Sequence, residues 1–237
     1  VISFVVPAYN EERLLGRTLD SLQAAGEALG EPFEIIVADD DSNDATARIT
    51  AERGAQIVPV KRRQIAATRN AGAAAARGEL LLFVDADTVA PAATVRAAVA
   101  AMRAGAVGGG ANVQFDGRLP LHARVFVRIF LMLYRGAGFA AGCFLFATRQ
   151  AFEKAGGFDE TVFGGEEVFL SWRLRRLGRF VLLREVVITS GRKLRAYSAW
   201  ELLTAMAKLT PRGLHGVRTR KGLDLWYGPR RDDPDFR

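Results

Sequence analysis

Five apolar residues, 80–84, run into Asp85-Ala86-Asp87. A buried strand that ends in two carboxylates one residue apart is costly to hold together without a cation. Hard divalent ions take oxygen ligands, and magnesium is often held by one or two carboxylates with substrate phosphates completing its shell. The pattern points to a metal and phosphate site, although Asp-x-Asp also serves as a turn former and helix cap. A second stretch, Asp39-Asp40-Asp41-Ser42-Asn43-Asp44, places four acids in six residues. Capping explains one or two of them. The others repel one another unless they bind a cation or accept hydrogen bonds from a ligand, and a base or ribose is the natural donor. Further on, Gly157-Phe158-Asp159-Glu160 and Gly164-Gly165-Glu166-Glu167 combine glycines with acids. They offer a carboxylate that takes a proton from an attacking hydroxyl, or simply acids favoured at a helix start.

Two basic features accompany the acids. Ser190-Gly191-Arg192-Lys193-Leu194-Arg195 reads as a mobile basic loop suited to a diphosphate, or as an ordinary surface loop. Arg69-Asn70 lies among Ala66, Ala67, Ala71 and Ala73 to Ala76, which suit close helix packing. Arg69 is then either solvated or held toward a crevice. Pro7-Ala8-Tyr9-Asn10-Glu11-Glu12, taken alone, is a capped helix start.

These side chains need a frame. Residues 2–6 read as a buried strand broken by Pro7, and Asn10 is placed to cap a helix from Glu11, where Leu14, Leu15, Thr18, Leu19 and Leu22 recur at helical spacing. A strand over 34–38, a helix ending near Gly54, a short strand over 57–60, an Ala-rich helix over 64–77 stopped by Gly78 and the strand ending at Val84 follow. Alternating strands and helices with short connections argue for a parallel sheet covered on both faces. In such sheets ligands sit beyond the carboxyl ends of the strands. The segments at Tyr9, Asp39 and Asp85 all follow such ends, so three acidic loops are expected to converge on one crevice. The second half is less regular. Pro91 opens a helix to about Arg103, Gly108-Gly109-Gly110 marks a bend or close backbone approach in a strand, and 120–134 is an amphipathic helix. A strand over 140–147, a short helix capped by Thr148, a helix over 168–177 and a capping box at Ser198 before a helix to 209 complete the reading.

The chain has 237 residues, 49% hydrophobic and 25% charged, which suits a folded α/β protein. Its single cysteine, Cys143, excludes an internal disulfide framework and a Cys-based zinc site, and two histidines make a His-rich metal cage unsuitable. The net charge of +7 favours anionic partners, with basic residues concentrated late in the chain. No stretch approaches the ~20 apolar residues that span a bilayer, and Arg128 interrupts the run around it. The chain opens on a strand without a signal-peptide pattern. Amphipathic stretches over 121–134 and 198–209, with the basic tail, allow a peripheral membrane contact, although both also read as core or acceptor-side helices.

The assembled order is more specific than any one motif. Val5-Val6-Pro7-Ala8-Tyr9-Asn10-Glu11-Glu12, then Asp39 to Thr46, Arg69-Asn70-Ala71-Gly72, Asp85-Ala86-Asp87, Gly157-Phe158-Asp159-Glu160 and Gly165-Glu166-Glu167 with Arg173-Leu174 resembles glycosyltransferase family 2 over residues 1 to about 195. The resemblance implies a GT-A fold, a Rossmann-like α/β nucleotide-binding half with a mostly parallel central sheet fused to a smaller acceptor-binding half. One catalytic domain over 1–237 is expected, with the nucleotide-sugar half to about 110, the acceptor half over about 111–200 and a C-terminal helix and basic tail over 198–237. It implies inverting transfer of a sugar from a UDP-, GDP- or dTDP-linked donor to a hydroxyl of a lipid-linked or saccharide acceptor, with magnesium or manganese as cofactor, in the making of a cell-envelope polysaccharide or glycolipid. Pro7, Ala8, Tyr9 and Glu11 would line the nucleoside pocket. Asp39 would bind the base, with Arg69 near it and Asp40 assisting. Asp85 and Ala86 would contact the donor, Asp87 with Asp85 would hold the metal, and Arg192 or Arg195 would stabilise the departing diphosphate. Glu167, beside Glu166, stands where the family usually has a catalytic Asp, which leaves open which of the two is the base. Asp41 stands where the family usually has Gly.

Two other classes compete on local sequence. Val84-Asp85-Ala86-Asp87-Thr88 resembles the nucleophile motif of haloacid-dehalogenase phosphatases, with Asp85 phosphorylated and Asp87 the acid. That motif normally opens its domain, whereas three β-α units precede it here. The net charge alone would suit a nucleic-acid-binding module, but no zinc-finger spacing or aromatic RNA-binding signature supports one, and nucleic acid is not an expected partner. The expected location is the cytoplasm, with peripheral contact at the inner face of the membrane.

Overall fold

The computed structural model describes residues 1–198, 200, 201, 204, 217–220, 223, 227 and 228. Most of the helix expected to 209 and of the basic tail lies outside the described residues. The first half runs β1 (Ile2–Ala8), α1 (Leu15–Glu27), β2 (Phe33–Asp39), α2 (Thr46–Glu52), β3 (Gln56–Pro59), α3 (Ile65–Ala75) and β4 (Leu80–Val84). The second runs β5 (Thr88–Val89), α4 (Ala92–Arg103), β6 (Gly108–Phe115), α5 (Leu121–Gly136), β7 (Phe144–Thr148), α6 (Arg149–Lys154), α7 (Glu166–Leu177), β8 (Phe180–Thr189) and α8 (Arg192–Ala196).

One sheet of eight strands joins both halves in the order β3-β2-β1-β4-β7-β6-β8-β5. The four strands of the first half are parallel, as their alternation with helices requires. The second half departs from that rule: β7 runs antiparallel to β4 and β6, and β5 antiparallel to β8. Strand side chains alternate between two cores. Phe4, Val6, Val37, Leu82 and Phe146 pack with Leu15, Leu19, Val95 and Met102 on one face. Val5, Ile36, Leu81 and Phe83 pack with Ala66, Ala73, Phe152 and Leu174 on the other. A sheet covered on both faces has near-continuous apolar strands, which is why 80–84 carries no polar residue.

The register places the chemistry along one edge. Ala8 lies level with Asp39, and β4 ends opposite the start of β7 at Phe144. Pairing of Thr88 with Thr189 draws the end of β8 beside Asp87. Two residues of strand are too few to leave a periodic signal, and β5 is not foreseen by the pattern. At Gly109 a Cβ would collide with the Val181 carbonyl, the close approach that the three glycines predict.

Two expectations about local structure are corrected. Asn10 does not cap a helix at Glu11, because α1 begins at Leu15. Asn10 sits at φ 50°, donates its N–H to Ser42 Oγ at 2.9 Å and accepts from the Asn43 N–H at 2.9 Å. Glu12 accepts from the Ala45 N–H at 3.0 Å. These polar residues stitch the first loop to the second instead of opening a helix. The basic stretch after β8 is not a loop throughout, since Arg192–Ala196 forms α8. Thr148 does cap α6, accepting from the Ala151 N–H.

Candidate functional site

A cavity of about 890 Å³ opens at this sheet edge. Of the residues singled out from sequence, Pro7, Ala8, Tyr9, Glu11, Asp40, Arg69, Asp85, Ala86, Asp87, Glu166, Glu167 and Arg192 line it. Asp39 and Arg195 are not in its wall. Asp39 is buried and accepts from the Ser42 N–H at 3.2 Å. Arg195 donates to the Asp116 carbonyl at 2.7 Å and lies 3.5 Å from its carboxylate, so it fastens the turn after β6.

At one end stand the two loops after β1 and β2. Asp40 accepts from the Arg62 and Arg63 N–H groups at 2.8 Å, from the Gln64 N–H at 2.9 Å and from Thr68 Oγ1 at 3.0 Å. Its carboxylate is thereby committed to shaping the entry to α3. That turn lays the Arg63 guanidinium 3.1 Å from the centre of the Tyr9 ring. Arg63 was missed in the sequence because Lys61-Arg62-Arg63 reads as a solvated basic run. Asp41 has φ 66°, in the left-handed region. A position that favours glycine tolerates Asp or Asn best among other residues, which accounts physically for an Asp here.

In the middle, Glu11 and Asp87 meet Arg192, with Asp85 beside Asp87. Arg192 is bidentate on Glu11 at 2.6 and 2.8 Å and reaches Asp87 at 3.2 Å. Asp87 also accepts from Thr189 Oγ1 at 3.3 Å. Burial, then the neighbouring Glu11, pushes the Asp87 carboxyl up to about 6, against the pull of Arg192. Burial lowers the Lys193 ammonium pKa, with Asp87 opposing. Lys193 lies within the basic stretch quoted from sequence, yet only the structure turns it into the cavity. Oxygen donors whose negative charge is only partly balanced fit a hard divalent cation. Among the described residues no group of three or more His, Cys, Asp or Glu side chains is placed to hold a metal alone. Asp85 and Asp87 would therefore share such an ion with phosphate oxygens.

At the far end α3 and α7 meet. Ala66, Ala67, Gly72 and Ala73 are buried on α3, and a Cβ at Gly72 would press on Val5. The close seating leaves Arg69 only 3% exposed. Its guanidinium donates to Glu166 at 2.6 Å, to Asp85 at 2.8 Å and to the Gly142 carbonyl at 2.9 Å. Gly165 at φ 71° turns the chain into α7 and delivers Glu166 and Glu167 together. Glu166 is buried against Arg69. Glu167 accepts from Tyr134 Oη at 2.9 Å. Burial, then Glu166, pushes its carboxyl up to about 7, with Arg69 and the Tyr134 hydroxyl pulling the other way. Tyr134 was read only as part of an amphipathic helix, and nothing in its spacing distinguishes it. Phe126 and Phe130 on the same helix add an apolar wall.

Comparison with known proteins agrees with this fold. The family model described as Glycosyl transferase family 2 matches residues 3–156. Undecaprenyl-phosphate 4-deoxy-4-formamido-L-arabinose transferase of Pseudomonas paraeruginosa is 38% identical over 103 residues, covering 38% of this chain and 29% of that protein. Validoxylamine A glucosyltransferase of Streptomyces hygroscopicus subsp. jinggangensis is 36% identical over 107 residues, 43% of this chain and 25% of that protein. The chain thus spans under a third of the length of the curated relatives it matches. The mannosyltransferase PcManGT of Pyrobaculum calidifontis, solved with GDP-Man and Mn2+, superposes with a TM-score of 0.69 at 21% identity, covering 96% of this chain and 72% of that one. Glucosyl-3-phosphoglycerate synthase of Mycobacterium tuberculosis, solved with Mn2+, UDP and glucosyl-3-phosphoglycerate, gives 0.62 at 21% identity over 91% and 79%. The fold is GT-A. The phosphatase and nucleic-acid readings find no support in these matches.

Proposed function

The chain belongs to glycosyl transferase family 2, and from that premise we propose that it transfers a sugar from a nucleotide-diphospho-sugar to an acceptor hydroxyl with inversion. The observation that carries the reading is the unequal treatment of Glu166 and Glu167. Arg69 donates to Glu166 and to Asp85 and holds both carboxylates in place. Glu167 has a tyrosine hydroxyl and a raised proton affinity, near 7. A general base is most effective when its pKa lies near the working pH.

The nucleoside enters beside Tyr9 and Arg63, over the turns that Asp39 and Asp40 hold. The diphosphate lies toward Arg192 and Lys193, where a guanidinium matches phosphate oxygens. Magnesium or manganese, held by Asp85 and Asp87, would neutralise the charge that develops on the departing diphosphate. Manganese in two solved structures of the same fold supports that choice. Glu167 takes the proton of the acceptor hydroxyl, and the oxygen attacks the anomeric carbon from the face opposite the diphosphate. Glu166 positions Arg69. The acceptor approaches along the apolar wall of Phe126 and Phe130. One relative carries undecaprenyl-phosphate in its name, which favours a lipid-linked acceptor over a free saccharide.

Thermal unfolding with UDP, GDP and dTDP, each with and without manganese, tests the reading. One nucleotide is expected to raise the midpoint in a manganese-dependent way, and its sugar conjugates then to be hydrolysed or transferred. No stabilisation by any of the three would count against it.

A further inference from the structure

α5 has two apolar faces, and its tertiary packing uses one of them. On the inner face Ala123, Phe126 and Val127 pack with Phe115, Leu194 and Tyr197, and Tyr134 reaches Glu167. Arg135 ties the helix to β8 through the Leu182 and Leu183 carbonyls at 2.8 Å. On the outer face Leu121, Val125, Ile129, Met132 and Leu133 are between 50% and 71% exposed. Their spacing of three and four residues puts them on one stripe. Arg124 and Arg128, also exposed, flank that stripe.

We infer that the outer face of α5 docks on an anionic lipid surface. Isolated exposed leucines are ordinary, but a contiguous stripe this size marks an interaction surface. A second copy of the chain fits it poorly. Arg124 and Arg128 are the arginines of the outer face and the helix carries no acid, so a two-fold contact would set like charges together with nothing on α5 to balance them. An anionic bilayer complements both features, the apolar stripe entering the acyl boundary and the arginines meeting lipid phosphates. The helix is sixteen residues long, about 24 Å, too short to cross a bilayer core of about 30 Å. No described helix is long and apolar enough to cross, so α5 lies in the interface plane. The cavity is then one helix diameter, about 10 Å, from the headgroups. Delivery of a lipid-linked acceptor to Glu167 is a consequence that rests on the proposed transfer, but the docking does not.

Flotation of the full chain with phosphatidylcholine vesicles, with and without phosphatidylglycerol, tests the docking without any sugar transfer. Binding is expected only with phosphatidylglycerol, and to weaken as salt rises. Replacing Leu121, Val125 and Ile129 together by Ser is expected to lower vesicle affinity about tenfold or more, with unchanged thermal unfolding and unchanged nucleotide stabilisation. The single Arg128→Glu change, which leaves all packing intact, is expected to lower it by several-fold. Absence of wild-type binding, or wild-type-like binding by both variants, overturns the proposal. So does light scattering that shows a dimer dissociated by the same Ser substitutions, which would assign the face to a second copy.

Discussion

At the end of β4, Asp85 meets Arg69 at 2.8 Å and Asp87 meets Arg192 at 3.2 Å. At the start of α7, Glu166 meets the same Arg69 at 2.6 Å, whereas Glu167 meets a tyrosine hydroxyl at 2.9 Å and, among the described residues, no cation within ion-pair distance. Both pairs crowd two carboxylates into a partly dry pocket. The first pair has a guanidinium in contact with each member, Arg69 shared with Glu166 and Arg192 shared with Glu11. The second has one guanidinium for two acids, and the acid left out holds its proton to about 7. The lesson is that neighbouring acids of like type are placed in different environments by the distant cations that the fold brings to them, here from α3 and α8.

Arg69 links the two pairs, so its removal is the harshest test of the comparison. Arg69→Met leaves Glu166 as a buried charge without its partner, and loss of one member of a buried pair costs roughly 3–5 kcal/mol. Urea unfolding is expected to show a drop of that order, and unchanged stability would mean that the bridge does not organise the site. The first pair is broken alone by Asp87→Ala. Manganese-dependent turnover is expected to fall by about 10²-fold or more. A manganese titration of the variant with full turnover would remove Asp87 from the metal role.

The basic stretch offers a milder contrast. Arg192 faces the cavity and Arg195 does not, so Arg192→Ala is expected to weaken donor affinity about tenfold, by loss of charge-assisted contacts. Arg195→Ala is expected to leave donor affinity unchanged and lower the unfolding midpoint slightly. Calorimetry with the donor nucleotide separates the two, and equal losses would contradict the placement. The smallest effect belongs to Tyr134→Phe. Its hydroxyl donates to the ionised form of Glu167, so removing it raises the carboxyl pKa further. The rising limb of the kcat–pH profile is expected to move upward by less than about one unit.

Stability carries the same signature. Glu167 has an ordinary value of 4.5 and a folded value of about 7. The folded state therefore binds more protons between these limits. The stabilisation from this group is complete below 4.5 and is lost as pH rises through about 7. Wild-type stability is expected to fall relative to Glu167→Gln across that window.

Much of this was legible in the chain because the signals are local. The apolar run before Asp85, the Ala-rich face around Arg69 and the glycines before Glu166 each report on their own element. The parallel half of the sheet followed from short strands alternating with helices. What escaped depends on pairs far apart in sequence. Arg192 meets Glu11 across 181 positions of sequence, where β5 pairs with β8. Tyr134 finds Glu167 through the seating of α5. Asp40 reads as a ligand contact, but its oxygens are committed to a turn more than twenty residues later. The helix expected at Glu11 fails for a similar reason, since Asn10 and Glu12 bond to the neighbouring loop instead of capping their own helix.

The proposed base is Glu167, with Glu166 as its fixed neighbour. The most direct measurement is single-turnover transfer by Glu167→Gln, with donor affinity measured on the same sample. The predicted result is a fall in rate of about 10²- to 10⁴-fold with donor affinity within about twofold of wild type. Transfer at the wild-type rate by that variant would contradict the central claim and return the role to Glu166.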